Sequence, residues 1–272
     1  MELPEITILA GQMHEKLAGK RIAEVEVANP KCLNMPLDEF TEATIGKEVS
    51  RAYPRGKWVF IVLNPGHVLL FNTGMGADVL HYEAADSLPE KYHIRVGFDD
   101  GSGFTVRVWW FCYLHLVTED GLSDHKLTGG LGLSPLDDGF TPEYFKGLLD
   151  GRRGGVKSFL TNQRNVAGIG NVYIQDTLFR AGLHPLRKIP TLTESDVEAL
   201  YTSMRGVLTE SIEHGGLRFE RNFLGEHGDY GKEHYKVAYK TGEPCPTCGS
   251  TVEKIKTGST SGYICPRCQA LD

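Results

Sequence analysis

The C-terminal cysteines are the feature that most constrains how this chain can fold. Two C-x2-C pairs, Cys245 with Cys248 and Cys265 with Cys268, are separated by sixteen residues. This spacing brings four thiolates within reach of one tetrahedral zinc ion, and the glycines in the segment between the pairs favour a β-hairpin. Four thiolates complete the coordination shell, so we expect one structural Zn²⁺ per chain. The alternative is two unrelated redox or packing pairs.

The composition is that of a globular protein with more than one domain. The 272 residues are 40% hydrophobic and 24% charged, which is ordinary for folded domains of this size. No apolar run approaches the roughly 20 residues of a membrane span, and the first residues do not resemble a signal peptide, so we expect no membrane partner. Only Cys32 and Cys112 lie outside the zinc motif. No disulfide framework is therefore indicated, which fits a reducing cytoplasm.

The distribution of charge separates the two halves of the chain. Residues 1–149 carry 13 Lys and Arg against 21 Asp and Glu, whereas residues 150–272 carry 16 against 14. The formal net charge of −6 argues mildly against a polyanionic partner. The asymmetry predicts that any nucleic-acid surface lies mainly in the second half, as local patches.

Hydrophobic periodicity changes twice along the chain. Leu3, Ile6, Met13 and Leu17 recur at helical spacing, and Gly19 ends the predicted helix. Short strand patterns follow, separated by Asn-Pro and Asp-Gly turns, at residues 22–27, 58–63, 68–71, 93–98 and 104–110. Helical patterns then cover residues 141–149, 156–163 and 171–181 and a longer segment after Thr193, whose spacing from Asp196 is that of a capping box.

These patterns predict an α+β protein of several domains. We expect an N-terminal helix with a β-sandwich over residues 1–125, a helix-two-turn-helix bundle over 140–235, and a zinc finger over 236–272. The segment 120–140, rich in glycine, aspartate and serine, is the natural linker.

A glycine-rich turn before a predicted helix is the second informative motif. Gly168 and Gly170 precede Asn171, and glycines at a helix start leave backbone N–H groups open to an approaching anion. Asn171 would cap the helix or donate its amide to a phosphate. Lys157 precedes the turn and adds a positive charge. The alternative is a plain capped turn.

Several short motifs follow one another along nearly the whole chain. They are Glu2-Leu3-Pro4-Glu5, Arg55-Gly56-Lys57, Gly74-Met75, Gln163 with residues 166–173, Gly215-Gly216, Gly242-Glu243-Pro244-Cys245, and Cys265-Pro266-Arg267-Cys268-Gln269. With these motifs in this order, the chain resembles the formamidopyrimidine-DNA glycosylase and endonuclease VIII family of base-excision repair enzymes.

The resemblance implies an enzyme that acts on double-stranded DNA containing a damaged base or an abasic site. In such enzymes the damaged nucleotide is flipped out of the duplex. An N-terminal amine then attacks the sugar and forms a Schiff base, and elimination nicks the strand.

Several residues match functional positions of the family. Glu2 matches the acid that protonates the sugar ring oxygen, and Glu5 matches an acidic position near the nucleophile. Lys57 and Asn171, with the turn from Gly168 to Gly170, match the phosphate contacts near the lesion. Side chains wedged into the gap left by the flipped base are matched by Met75 and Phe111.

The start of the chain departs from the family pattern, in which a proline follows Met and becomes the nucleophile. Here Met1 is followed directly by Glu2, so we expect Met1 to be retained. Its primary α-amine then occupies the position of the proline nitrogen, and primary amines form Schiff bases. The alternative is a protein that has lost its nucleophile and only binds damaged or abasic DNA.

Two further departures concern DNA recognition. Trp109 takes the position of the family's arginine that fills the gap in the DNA duplex. An indole stacks on bases but does not read them as a guanidinium does. Trp109 or Trp110 would alternatively belong to the strand core. The arginine that the family carries at the zinc-finger tip aligns here with Thr260 or a neighbouring residue, which brings no charge. Three nearby basic residues either compensate or form a solvated face: Lys254, Lys256 and Arg267.

The sequence does not determine which damaged base is excised, because the segment that discriminates lesions in the family, about residues 214–236 here, differs from the family pattern. We expect a monomer in the cytoplasm, associated with the nucleoid in a prokaryote.

Overall fold

The computed structural model describes residues 1–271, which form two compact units. Unit 1 contains Met1, Leu3–Gly130 and Gly215–Asp229. Unit 2 contains Glu2, Leu131–His214 and the segment from Tyr230 onward. No helix within residues 1–271 is long and apolar enough to cross a membrane.

Unit 1 contains two α-helices and two antiparallel sheets of four strands each. Helix α1 (Leu3–Leu17) precedes β1 (Ile22–Val27), and helix α2 (Leu37–Thr44) precedes the remaining strands. These are β2 (Glu48–Arg55), β3 (Trp58–Asn64), β4 (His67–Asn72), β5 (Ala77–Tyr82), β6 (Ile94–Phe98), β7 (Gly103–Val108) and β8 (Tyr113–Thr118). The strand orders are β1-β6-β7-β5 and β2-β3-β4-β8.

The core of unit 1 is formed by the apolar face of α1 and the inner faces of both sheets. Ile6, Leu9 and Met13 are fully buried there, as their helical spacing predicts. Strand β3 is buried along nearly its whole length, as expected of a central strand covered on both faces. Phe223 joins this core from the segment 215–229 and packs against Phe104. That segment therefore belongs to unit 1 although it follows the helices in sequence.

Unit 2 is built from helices and ends in a β-hairpin. Its helices are α3 (Pro142–Leu149), α4 (Val156–Leu160), α5 (Tyr173–Arg180) and α6 (Glu194–Glu213). Thr193 caps α6 and forms the predicted capping box with Asp196. Strands β9 (Glu253–Thr257) and β10 (Thr260–Ile264) pair antiparallel, with the turn at Gly258, whose φ is 65°.

The predicted fold class and order of elements are confirmed, with differences at the element ends. Strand β7 ends at Val108, two residues before the predicted end, and neither Trp109 nor Trp110 is core. The alternative that one of these indoles belongs to the strand core is therefore excluded by their exposure. Helix α4 ends at Leu160, and α5 begins at Tyr173 instead of Asn171. Helix α2 and strands β2, β5 and β8 were not predicted.

Candidate functional site

The α-amine of Met1 is held by a carboxylate within unit 1. Met1 N lies 3.1 Å from Glu220 Oε1, and both side chains are largely buried. The Met1 side chain packs against the core of the sandwich. A carboxylate at hydrogen-bond distance orients an amine and can accept its proton.

The segment 215–229 carries Glu220 and is anchored by Glu5. Gly215 and Gly216 adopt φ values of 72° and 85°, a region that strongly favours glycine. The turn presents the backbone N–H of Leu217 to Glu5 Oε1 at 3.2 Å. Farther along, the backbone N–H of Phe223 donates to Gln12 Oε1 at 2.9 Å. Glu5 is thus placed as a buried acceptor that fixes the course of this segment.

Glu2 belongs to unit 2 and occupies the start of α5. The backbone N–H of Gly170 donates to Glu2 Oε2 at 2.6 Å, and that of Val172 donates to Glu2 Oε1 at 3.0 Å. A carboxylate at a helix N-terminus interacts favourably with the helix dipole. The sequence predicted that an external anion would use these N–H groups. In the structure the anion at Gly170 is the protein's own carboxylate.

Gln163 determines the conformation of the glycine-rich turn. Its Oε1 accepts the N–H of Gly168 at 2.8 Å, and its Nε2 donates to the carbonyl oxygen of Ile169 at 2.8 Å. Gly168 has a φ of 101°. The N–H groups of both predicted glycines, Gly168 and Gly170, therefore have partners inside the chain, and these residues shape the turn.

Asn171 lies at the centre of a polar network and does not cap α5. Val172 holds the cap position, without a side-chain bond. The amide oxygen of Asn171 accepts from Lys157 Nζ at 2.9 Å and from Gln175 Nε2 at 3.0 Å. Since the oxygen serves these two donors, the NH₂ group is the part of Asn171 suited to a phosphate.

Lys157 is buried, contrary to the exposure expected of a surface phosphate contact. Only 4% of the residue is exposed. Its ammonium group donates to Thr257 Oγ1 at 2.8 Å, Thr260 Oγ1 at 3.2 Å and Ser261 O at 2.6 Å, besides Asn171. Burial lowers the pKa of Lys157 to about 8. Lys157 therefore ties Asn171 to the tip of the zinc hairpin.

The tip of the hairpin presents hydroxyl groups at the surface. Thr260 is exposed and shares hydrogen bonds with Thr257 across the turn. Three basic residues could replace the positive charge that Thr260 lacks, and all three are exposed: Lys254, Lys256 and Arg267.

The four cysteines form a cluster that fits one tetrahedral metal ion. All four sulfur atoms lie within 4.8 Å of one another. Cys245 Sγ is 3.8 Å from Cys268 Sγ, and Cys248 Sγ is 3.4 Å from Cys265 Sγ. A zinc ion with bonds of about 2.3 Å places tetrahedral sulfur atoms about 3.8 Å apart. The cluster therefore fits zinc bound by four thiolates, which is a structural site.

Lys57 lies in the turn between β2 and β3, directly after Gly56. Its carbonyl oxygen accepts Asn72 Nδ2 at 2.7 Å, which fixes the backbone of the turn. Within residues 1–271 its ammonium group makes no hydrogen bond or ion pair. The charge of Lys57 is therefore available to an external anion.

Met75, Trp109, Trp110 and Phe111 form an exposed group of large apolar side chains in unit 1, which we name the apolar ridge. Met75 is 75% exposed, and Trp110 is 80% exposed. The N–H of Trp109 donates to the carbonyl oxygen of Gly76 at 3.2 Å. The two loops also meet at Gly74, where a Cβ would lie 2.1 Å from the Phe111 carbonyl oxygen. An exposed ridge of this kind suits stacking on nucleic-acid bases.

Three residues of these networks were missed by the sequence reasoning. Glu220 holds the Met1 amine, Gln175 bonds Asn171 and the carbonyl oxygen of Ser261, and Tyr239 lies beside Asn171. Burial raises the pKa of Tyr239. Gln175 had a detectable pattern, since it follows Asn171 at the i+4 position of a helix. Glu220 and Tyr239 had none.

These features define a class of protein with a β-sandwich, a helix-two-turn-helix unit and a four-cysteine zinc finger. Family models match all three parts of the chain. The formamidopyrimidine-DNA glycosylase N-terminal domain matches residues 1–108, and the formamidopyrimidine-DNA glycosylase H2TH domain matches residues 131–221. The zinc finger found in FPG and IleRS matches residues 242–271.

Similar proteins extend over the full chain. A formamidopyrimidine-DNA glycosylase of Pelotomaculum thermopropionicum is 34% identical, with 99% of both chains covered. One of Chloroflexus aggregans is 33% identical, over 99% of this chain and 98% of the relative. Among solved structures, Lactococcus lactis Fpg in complex with DNA containing an abasic site has a TM-score of 0.90 and 26% identity over all of both chains. The chain belongs to the formamidopyrimidine-DNA glycosylase family.

Proposed function

We propose that this protein is a base-excision repair DNA glycosylase with AP lyase activity on oxidised, ring-opened or abasic sites in double-stranded DNA. The Met1 α-amine is the nucleophile, Glu2 is the general acid and base, and Glu5 positions the segment that carries Glu220. The proposal is supported by family membership. The observation that carries it is the contact of 3.1 Å between the Met1 amine and Glu220.

The proposed reaction requires a neutral amine at Met1. Glu220 accepts one proton from the ammonium group, and the nitrogen lone pair attacks the sugar C1′. The bond from C1′ to the base breaks, the base leaves with the electron pair, and it takes up a proton that the attached nitrogen releases. Glu2 protonates the ring oxygen as the sugar opens to the Schiff base. Loss of a C2′ proton then expels the 3′-phosphate, and a second elimination expels the 5′-phosphate.

The proposed DNA contacts are divided between phosphate and base. Lys57, Asn171 and Thr260 contact phosphate groups, which position the protein without reading sequence. Met75, Trp109 and Phe111 enter the gap left by the flipped nucleotide. Available charge on Lys57 and exposure of the ridge support these roles.

The remaining residues support the contacts indirectly. Lys157 holds Asn171 and the hairpin tip together, Gly168 and Gly170 shape the turn, and one zinc ion on Cys245, Cys248, Cys265 and Cys268 holds the hairpin. We propose that residues 1–125, 140–235 and 236–272 are the functional domains of a monomer that works on chromosomal DNA in the cytoplasm.

Borohydride trapping on a duplex with one abasic site tests the proposal, because only a Schiff base is reduced to a covalent adduct. We expect an adduct through Met1, located by peptide mapping, and an intact mass that retains Met1. A short N-terminal extension should abolish the adduct, since the amine becomes an amide. Abasic-site binding without any adduct would instead support a protein that only binds damaged DNA.

A further inference from the structure

The two cysteines outside the zinc cluster lie together in unit 1. Cys32 ends a short 3-10 helix, and Cys112 directly precedes β8. Cys112 is buried, whereas Cys32 is half-buried. Both side chains line the same cavity of about 250 Å³, and Cys32 packs against the hydrophobic core that contains Cys112. The apolar ridge also lines this cavity, through Trp109, Trp110 and Phe111.

Asn34 fixes the segment with Cys32 against the strand that follows Cys112. Asn34 Nδ2 donates to the Leu116 carbonyl oxygen at 2.8 Å, and the Leu116 N–H donates to Asn34 Oδ1 at 2.9 Å. Strand β8 is at the edge of its sheet, so the amide of Asn34 pairs with backbone groups that no further strand uses. Two hydrogen bonds between Asn34 and β8 therefore hold the segment with Cys32 next to the strand that follows Cys112.

The two thiols have different chemical environments. The hydrogen bond from Cys112 lowers the pKa of Cys32, whereas the contact with Cys32, together with burial, raises the pKa of Cys112. Lys31 lies beside Cys32 on the wall of the cavity and adds a positive charge. A half-buried thiol of lowered pKa next to a second thiol is the arrangement of an oxidant-sensitive pair.

We propose that Cys32 and Cys112 form a modification site that a hydroperoxide oxidises to a disulfide, and that this disulfide weakens DNA binding by the apolar ridge. The effect on DNA binding rests on the proposed function. The oxidation itself does not.

The oxidation is balanced with hydrogen peroxide as the reactant. The sulfur of Cys32 attacks one peroxide oxygen, the O–O bond breaks, and one water leaves, which gives a sulfenic acid. The sulfur of Cys112 then attacks the sulfur of Cys32, and the S–O bond breaks with release of a second water. The two thiols lose two electrons and two protons, and the peroxide is reduced to two waters.

The disulfide affects the ridge because Cys112 follows Phe111 directly. Disulfide sulfur atoms are about 2.05 Å apart, much closer than non-bonded sulfur atoms, so forming the bond draws Cys112 toward Cys32. Space beside Phe111 is limited, since a Cβ on Gly74 would already lie 2.1 Å from its carbonyl oxygen. A shift at Cys112 therefore displaces Phe111 and the loop that carries Met75.

The test uses the full-length, zinc-loaded protein treated with hydrogen peroxide. We expect a loss of about 2 Da per chain and a peptide that links Cys32 to Cys112. Affinity for a duplex with a reduced abasic site should fall about fivefold, roughly the loss of one stacking contact, and return with a thiol reductant. Cys32→Ser is the control, because this position is half-buried and serine preserves its size. Its DNA affinity should not respond to peroxide.

Other outcomes separate the parts of the proposal. Failure to link the two peptides, or equal loss of zinc and affinity in Cys32→Ser, overturns the site and assigns the oxidation to the zinc cysteines. A disulfide without weaker binding overturns the effect on the ridge. If the reduced protein does not bind the duplex, the proposed function fails, whereas the linked peptide still decides the oxidation. Cys112→Ala provides a second variant that removes the link from the other side.

Discussion

Replacing Glu2 by glutamine tests two roles of one side chain, since Glu2 accepts hydrogen bonds from the turn before α5 and is the proposed general acid and base. Both carboxylate oxygens of Glu2 accept backbone N–H groups, from Gly170 at 2.6 Å and from Val172 at 3.0 Å. A glutamine has one carbonyl oxygen, and its NH₂ group must then face a second donor. The substitution therefore removes a charge and leaves one buried N–H without an acceptor.

The expected loss of stability follows from these two bonds. A hydrogen bond to a charged group contributes about 1.5–3 kcal/mol, and an unsatisfied buried donor costs about 1–3 kcal/mol. These contributions overlap, so we expect Glu2→Gln to lower the free energy of unfolding by about 2–3 kcal/mol. The loss of a positioned acid and base should also slow borohydride trapping by roughly 100-fold or more.

Two measurements separate these effects. Urea denaturation gives the free energy of unfolding, and single-turnover trapping below the transition gives the rate for folded protein. Glu15→Gln is the matched control, because Glu15 is an exposed residue of α1, and should change neither. If Glu2→Gln trapped at the wild-type rate, Glu2 would only cap the glycine-rich turn. Unchanged stability would refute the argument from the hydrogen bonds.

Three further predictions concern zinc, phosphate and pH. Cys265→Ser should lose zinc, measured with a chromogenic chelator, and should lose affinity for duplex DNA. The circular dichroism of the sandwich should persist, and full affinity without zinc would contradict this prediction. Lys57→Ala should weaken binding at every sequence context and reduce the slope of log K against log salt by about 0.9, and an unchanged slope would make Lys57 structural. Burial lowers the pKa of Lys157 from 10.5 to about 8, so the unfolded chain binds more protons between these pH values. Unfolding free energy relative to Lys157→Met should therefore rise with pH across this window, and a flat difference would refute the shift.

The parts of the fold that the sequence predicted are those with local patterns. Helix α1, the capping box at Thr193 and the hairpin between the cysteine pairs each depend on residues close in sequence. The three missed strands, β2, β5 and β8, all lie at sheet edges. In β2 only Val49 and Ala52 are buried, so this strand carries little apolar alternation from which to predict it.

The candidate site was predictable only where one motif contained both partners. The glycine-rich turn was recognised, but its anion comes from Glu2, 168 residues away in sequence. The charge of Lys157 predicts a DNA contact, whereas in the structure its ammonium group is buried among oxygen atoms of the hairpin. No local pattern encodes such contacts, because long-range packing determines them.

Because the chain lacks the family's proline, the position of the N-terminal amine depends on the carboxylates near it. Proline has a secondary amine whose ring restricts the backbone. Met1 lacks that restriction, and its place is instead fixed by the contact with Glu220 and by a side chain packed on the core. Glu5 fixes the segment that carries Glu220 through Leu217. The proposed chemistry without proline therefore depends on Glu220, so a Glu220→Gln variant should lose more trapping than abasic-site binding, whereas Glu220→Asp should retain part of both.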